Sequence, residues 1–144
     1  MSAIYISTSL LDERMTAAIV TQLTAPLIST DKTTFLTHAI ERAQDLIDSF
    51  CDRIYVVPFV SGSVPSIVTE WTYRIVEYEL YKRGCDGDVP TKYKNSYDEV
   101  IALLKEVAAG SMSIKGASRK STAGDSMSFD SDTAIFDEES MEYF

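Results

Sequence analysis

The sequence predicts an all-α fold: a small four-helix bundle with one extended loop or hairpin excursion and a long extended C-terminal tail. Four segments before residue 110 carry apolar residues at helical spacing. A chain of 144 residues suffices for one core, but is too short for two ordinary ones. After Gly110 the composition shifts to Ser, Thr, Gly and Asp without helical periodicity. We therefore expect a helical body over residues 1–110 and a tail over residues 111–144.

The first predicted helix covers residues 10–23. Ser9 or Thr8 can cap it, because a short hydroxyl side chain accepts a hydrogen bond from a free backbone N–H. Thr24-Ala25-Pro26 ends it, because proline cannot continue a helix. Its inward residues recur every fourth position: Leu11, Met15, Ile19 and Leu23.

The second predicted helix begins near Thr33 or Thr34. One apolar stripe is assigned to the core: Leu36, Ile40, Ala43, Ile47 and Phe50. The residues after it, 55–60, are apolar and β-prone, which indicates an ordered loop or one strand of a hairpin. Tyr55, Pro58 and Phe59 in this segment are expected either to form a hinge packed on the body or to make a lateral contact.

The third predicted helix opens at Pro65, which suits a first turn. It ends before Gly84, a favourable residue just beyond a helix. The fourth follows Pro90 and stops at Gly110. Both helices carry residues assigned to the core: Trp71, Ile75, Tyr78, Tyr97, Ile101 and Leu104.

The charge balance and the cysteines exclude several classes of protein. Thirteen Lys plus Arg against 22 Asp plus Glu give a net charge of −9, which argues against nucleic-acid binding by phosphate neutralisation. No apolar run approaches the roughly 20 residues that span a bilayer, and no targeting peptide is recognisable. Cys51 and Cys85 lack the spacing of a metal or redox pair, so we expect free thiols. Synthesis in the cytoplasm follows.

The last part of the chain has the composition of a docking peptide. Residues 121–144 contain seven Asp and Glu and no Lys or Arg. Large apolar side chains on such a strand can each fill a partner's pocket. The alternative is a tail that folds back on its own body. The residues assigned to partner binding are Phe129, Ile135, Phe136, Met141, Tyr143 and Phe144.

An enzyme is the contrasting class, and few residues favour it. His38 is the only histidine, and it lies on a helix without a nucleophile at a suitable spacing. The carboxylate pairs Asp45 with Asp48 and Glu77 with Glu79 are typical of solvated helix faces. Asp86-Gly87-Asp88 lacks the later ligands of a calcium loop and indicates a turn. We therefore expect no catalytic residue, no metal and no cofactor.

Several short motifs occur in one order and spacing over residues 35–115, and the chain ends on an aromatic residue. These motifs are Ile47-Asp48-Ser49-Phe50, Tyr55-x-x-Pro58-Phe59, Val64-Pro65, Glu79-Leu80-Tyr81, Tyr93 and Leu104-Lys105-x-x-Ala108-x-Gly110. In both respects the chain resembles the Mu-like phage head–tail adaptor family, also called head-completion or neck proteins.

The resemblance implies a structural virion protein at the neck, where head and tail meet. Such adaptors form rings of about twelve copies beneath the portal and extend the DNA channel towards the stopper or tail-terminator protein. The implied partners are the portal protein, that next neck protein and further copies of the chain, with DNA only as passing cargo and no membrane.

The acidic tail ending in Phe144 leaves another class open. A regulatory protein can place such a tail in a basic pocket of a host factor. Ring formation or co-elution with a portal favours the adaptor, whereas a monomer that binds host replication factors favours the regulator.

Overall fold

The computed structural model describes residues 5–27 and 29–120, which form an all-α fold. Within this part there are five helices and no strand; an isolated antiparallel bridge joins Tyr55 to Arg119. The all-α prediction is confirmed, but five helices replace the predicted four and the excursion is a loop rather than a hairpin. The helices are α1 (Thr8–Met15), α2 (Ala17–Thr24), α3 (Ser29–Cys51), α4 (Ser66–Gly84) and α5 (Thr91–Ala109).

The fifth helix arises because the predicted first helix is broken at Thr16. The backbone of Thr16 has φ 73°, which a helix does not accept. Its hydroxyl accepts a hydrogen bond of 3.3 Å from the N–H of Ile19 and so caps α2. The cap of α1 is Ser7 rather than Ser9 or Thr8, since the Ser7 hydroxyl accepts from the N–H of Leu10 at 3.2 Å.

The helix α3 begins at Ser29, several residues before the predicted start at Thr33 or Thr34. Asp31 lies in its first turn, where a carboxylate interacts favourably with the positive end of the helix dipole. The apolar stripe faces the core as the periodicity indicates: Leu36, Ile40, Ala43 and Ile47 are buried, and Phe50 is half-buried against them.

The helix α4 is central, with α2, α3 and α5 all packed against it. It therefore buries residues around much of its circumference, including Trp71 and Ile75. Tyr78 is half-buried and stacks on Tyr97 of α5, with ring centroids 4.2 Å apart. No helix in the described ranges combines the length and apolar character that crossing a membrane requires.

The helix α5 ends at the predicted glycine. Gly110 has φ 85°, a left-handed conformation that costs glycine little. On the inward face Leu104 is buried, while Tyr97 and Ile101 are half-buried.

Beyond α5 the chain continues along the body. Ile114 is buried with 4% of its surface exposed, although composition alone assigned residues 111–120 to a separate tail. The division at residue 110 remains a prediction, but Met112, Ile114 and Ala117 pack against the core, and Ser118 and Lys120 are hydrogen-bonded to the loop after α3.

Candidate interaction surfaces

Tyr55 and Phe59 are buried by contacts within the chain itself. Only 1% of Tyr55 and 5% of Phe59 is exposed. The Tyr55 hydroxyl accepts a hydrogen bond of 2.8 Å from the N–H of Ile114, and the guanidinium of Arg119 lies 5.7 Å from the centre of its ring. Of the predicted contact residues in this loop, Pro58 alone is exposed. The geometry thus favours the packed hinge for the two aromatic residues.

Phe59 is fixed by a residue near the N-terminus that periodicity did not single out. The Tyr5 hydroxyl donates a hydrogen bond to Asp48 of α3 and accepts one of 2.9 Å from the N–H of Phe59. Burial raises the pKa of Tyr5 well above its ordinary value, so this hydroxyl keeps the proton it donates. The Tyr5 N–H also donates to Gln44 Oε1 at 2.7 Å. The N-terminal segment at Tyr5 therefore packs on its own chain and connects α3 to the loop.

The same loop exposes apolar side chains to solvent. Val56 is 51% and Val60 is 71% exposed, with the exposed Pro58 between them. Two large exposed apolar residues within five positions form a candidate contact surface for another protein. We call residues 56–60 the apolar loop.

Residues 111–120, which we call the cationic segment, run beside the apolar loop and carry a net positive charge. The N–H of Val56 donates to the carbonyl of Ser118 at 2.9 Å, and the N–H of Lys120 donates to the carbonyl of Ile54 at 2.8 Å. Lys120 Nζ lies 3.1 Å from a carboxylate oxygen of Asp52. An open groove of about 570 Å³ is lined by residues 63–67 together with Ser113, Lys115 and Gly116. The segment is thus held in place by backbone hydrogen bonds.

A network of ion pairs connects α1, α4 and α5 on another face. Arg14 contacts both carboxylate oxygens of Glu70, at 2.7 and 3.4 Å. Arg74 lies 3.0 Å from Glu70 and 3.0 Å from Glu99. The hydrogen bond from Arg14 lowers the pKa of Glu70 below its ordinary value. Each pair is partly exposed and contributes little alone, but together they fix how three helices meet.

Tyr73 and Glu77 lie beside this network, in an open groove of about 890 Å³ between α4 and α5. The guanidinium of Arg14 lies 3.9 Å above the buried ring of Tyr73. The Tyr73 hydroxyl donates to Glu77 Oε2 at 3.0 Å. Burial raises the pKa of Glu77 above its ordinary value, and the bond from Tyr73 opposes this rise. Arg14, Tyr73 and Glu77 thus interact with one another, which is typical of a packed polar face.

The residues considered for catalysis are dispersed. His38 and Asp45 are exposed on α3, and Glu79 lies 3.8 Å from Arg42. Asp86 and Gly87 have positive φ, as expected of a turn. Over residues 5–27 and 29–120, no three His, Cys, Asp or Glu side chains gather as a metal site would require.

Both cysteines are free, with Cys51 buried and Cys85 half-buried. Burial raises the pKa of Cys51 to about 12.

Six residues predicted to bind partners lie outside the described residues: Phe129, Ile135, Phe136, Met141, Tyr143 and Phe144. Sequence reasoning left open whether the N-terminal segment at Tyr5 packs on its own chain or reaches a neighbour, and it missed Val56, Val60 and the cationic residues after α5. For the cationic residues the signal was charge, because the stretch 111–120 contains Lys115, Arg119 and Lys120 and no carboxylate.

Comparison with curated proteins finds no match to this chain. The family model described as Bacteriophage Mu, Gp36 matches residues 5–131 and so includes all five helices, the apolar loop and the cationic segment. The chain therefore belongs to the bacteriophage Mu Gp36 family of phage proteins.

Proposed function

We propose that the chain is a structural head–tail adaptor of the virion neck. About twelve copies would form a ring beneath the portal and continue the DNA channel towards the stopper or tail proteins. Membership of a Mu phage family over most of the chain is the observation that carries the proposal. The role is one of assembly, and no reaction is assigned to the chain.

The surfaces of the body fit this role. A ring subunit needs lateral contacts, and the exposed Val56 and Val60 offer apolar area that the fold leaves uncovered. Because each weak contact recurs around a ring, avidity compensates for modest affinity at each site. The body itself is held by Tyr5, Tyr55 and the ion pairs of α4, so it can act as a stiff unit.

The charge of the chain also fits a channel protein. With a net charge of −9, the subunit repels the DNA backbone rather than holding it. DNA is thus a passing cargo in this proposal, and the portal protein is the partner assigned to residues 121–144.

The proposal is tested by mixing the full-length chain with the portal protein of the same phage. Size-exclusion chromatography with light scattering should show one complex whose mass equals the portal ring plus about twelve subunits. Replacing Phe136 and Phe144 by Ser should abolish this complex, because the side chains assigned to portal pockets are lost. Phe35→Ser is unsuitable as a control because Phe35 packs on the core; His38→Ser, at an exposed position, serves instead.

Failure of wild-type chain to bind the portal, or absence of the chain from purified particles, would refute the adaptor role. A monomer in isolation is compatible with it, since binding to the portal can drive assembly by mass action. Binding to a host replication factor through the tail would favour the regulator, for which the terminal acidic and aromatic residues are the supporting observation.

A further inference from the structure

The charge along the chain changes from positive to negative after residue 120. Residues 111–120 carry three cations and no carboxylate, whereas residues 121–144 carry seven carboxylates and no cation. Two segments of opposite charge that follow each other in sequence attract at short range, with a strength that salt reduces.

The cationic segment has a fixed position on the body. Backbone hydrogen bonds hold Ser118 to Val56 of the apolar loop and Lys120 to Ile54 just before it. Arg119 lies over the ring of Tyr55, and Lys115 lines the groove beside Val64. We call Lys115, Arg119 and Lys120, with Val56 and Val60 of the apolar loop, the basic edge. Its three cations are exposed, one of them, Lys120, being paired with Asp52 at 3.1 Å, and its two valines are exposed apolar side chains.

We infer that the basic edge binds residues 121–144 of its own chain before assembly. The acidic segment offers the complementary charge, and its Phe and Ile residues match the exposed valines. A covalent link of a few residues keeps the acidic segment at an effective concentration in the millimolar range, which a second copy in dilute solution does not reach. Four residues separate Lys120 from Asp125, a reach of at most about 17 Å, so the acidic segment begins close to the edge.

This contact goes beyond the proposed function, because it would keep the adaptor from assembling until a partner binds the tail. Exposed ion pairs are individually weak, so a portal pocket can displace them. While bound to the edge, the tail aromatics and the two valines are unavailable to neighbouring subunits. The free chain thus stays a monomer, and capture of the tail by a partner uncovers the lateral surface.

Carbodiimide crosslinking tests the inference on the isolated full-length chain. The reagent joins a lysine amine directly to a carboxylate in contact with it. Equal amounts of unlabelled and ¹⁵N-labelled chain are mixed, crosslinked and digested for mass spectrometry. Lys115 should couple to carboxylates between residues 130 and 142 far more than Lys82 or Lys94, which are exposed lysines elsewhere on the body. Each crosslinked pair should be fully light or fully heavy.

Variants with matched charge changes sharpen the test. Arg119→Glu keeps both lysines of the edge and should lower the yield at Lys115 several-fold, with Arg119→Gln in between. Lys82→Glu makes the same charge change at the other end of α4 and should leave the yield unchanged. Salt at about 1 M, where the Debye length is about 3 Å, should also reduce the yield.

Three results would overturn the inference: mixed light and heavy pairs, which show binding to a second copy; equal coupling of all exposed lysines; and a yield that Arg119→Glu leaves unchanged. None of these depends on the portal, so the adaptor role and this inference fail separately.

Discussion

The hydroxyl of Tyr55 accepts a hydrogen bond of 2.8 Å from the backbone N–H of Ile114. Both residues are buried, so water does not compete for either group. The bond joins the loop after α3 to the segment after α5, two parts of the chain that are 59 positions apart. One side chain thus helps to hold the segment that carries Lys115, Arg119 and Lys120.

Tyr55→Phe should therefore destabilise the protein by about 1–3 kcal/mol, because the buried N–H of Ile114 loses its acceptor while the ring keeps its packing. Urea unfolding gives the free energy, and hydrogen exchange at Ile114 should speed up. Tyr78→Phe is the matched control, since the Tyr78 hydroxyl has no hydrogen-bond partner in the part of the chain described by the structure. Equal losses in the two variants would contradict this role of Tyr55.

Gly84 allows α4 to approach α2. A Cβ at this position would lie 2.5 Å from Leu23 Cδ2 and 3.0 Å from Leu23 Cα. Gly84→Ala should destabilise the protein by about 1–3 kcal/mol, as overpacking does, despite the better helix propensity of Ala. Thermal or urea unfolding measures the change.

The same clash predicts coupling between the two sites. Leu23→Ala removes the Cδ2 atom, so the double variant should be more stable than the sum of the two single losses indicates. If the losses of stability in the two single variants simply add up in the double variant, Leu23 is not the neighbour that requires glycine at position 84.

Periodicity in the sequence was sufficient to predict that α3, α4 and α5 exist. Residues at helical spacing, such as Leu36, Ile40 and Ile47, lie on one face of a helix and can therefore be buried together. Periodicity could not find the break at Thr16, where the local pattern of apolar residues continues across the two helices. The packing of Tyr5 was left open, and that of Ile114 was missed, for another reason. Their burial depends on contacts with residues far away in sequence, and single residues in irregular segments carry no period.

Trp71 fills the centre of the core and is 1% exposed. Trp71→Ala should destabilise the protein by about 3–5 kcal/mol, because a large cavity replaces the indole ring. Such a loss removes a large part of the about 5–15 kcal/mol that stabilises a typical domain, so unfolding in urea, followed by circular dichroism, should shift to a much lower urea concentration. Val60→Ala at a 71% exposed position should change stability by no more than about 0.5 kcal/mol. A neutral Trp71→Ala would indicate that the side chain is not part of the core in solution.

Glu77 should make stability fall as pH rises above about 4.5. Burial raises its pKa in the folded chain above the ordinary value of 4.5 that applies after unfolding. Between these two values the folded state binds more protons than the unfolded state, so the free energy of unfolding decreases with pH and then levels off above the folded pKa. In Glu77→Gln this contribution is absent, and the stability of the wild type relative to the variant should fall across that window. Urea unfolding at several pH values measures the difference.

Tyr73→Phe provides the matched comparison for this pH dependence. The Tyr73 hydroxyl donates to Glu77 at 3.0 Å and lowers the pKa of that carboxyl. Without the hydroxyl the folded pKa of Glu77 rises further, so the decline in stability should extend to higher pH. Tyr73 itself stays protonated throughout, because burial raises its pKa far above this range. A decline in stability that ends at the same pH in both proteins would show that the hydroxyl does not act on Glu77.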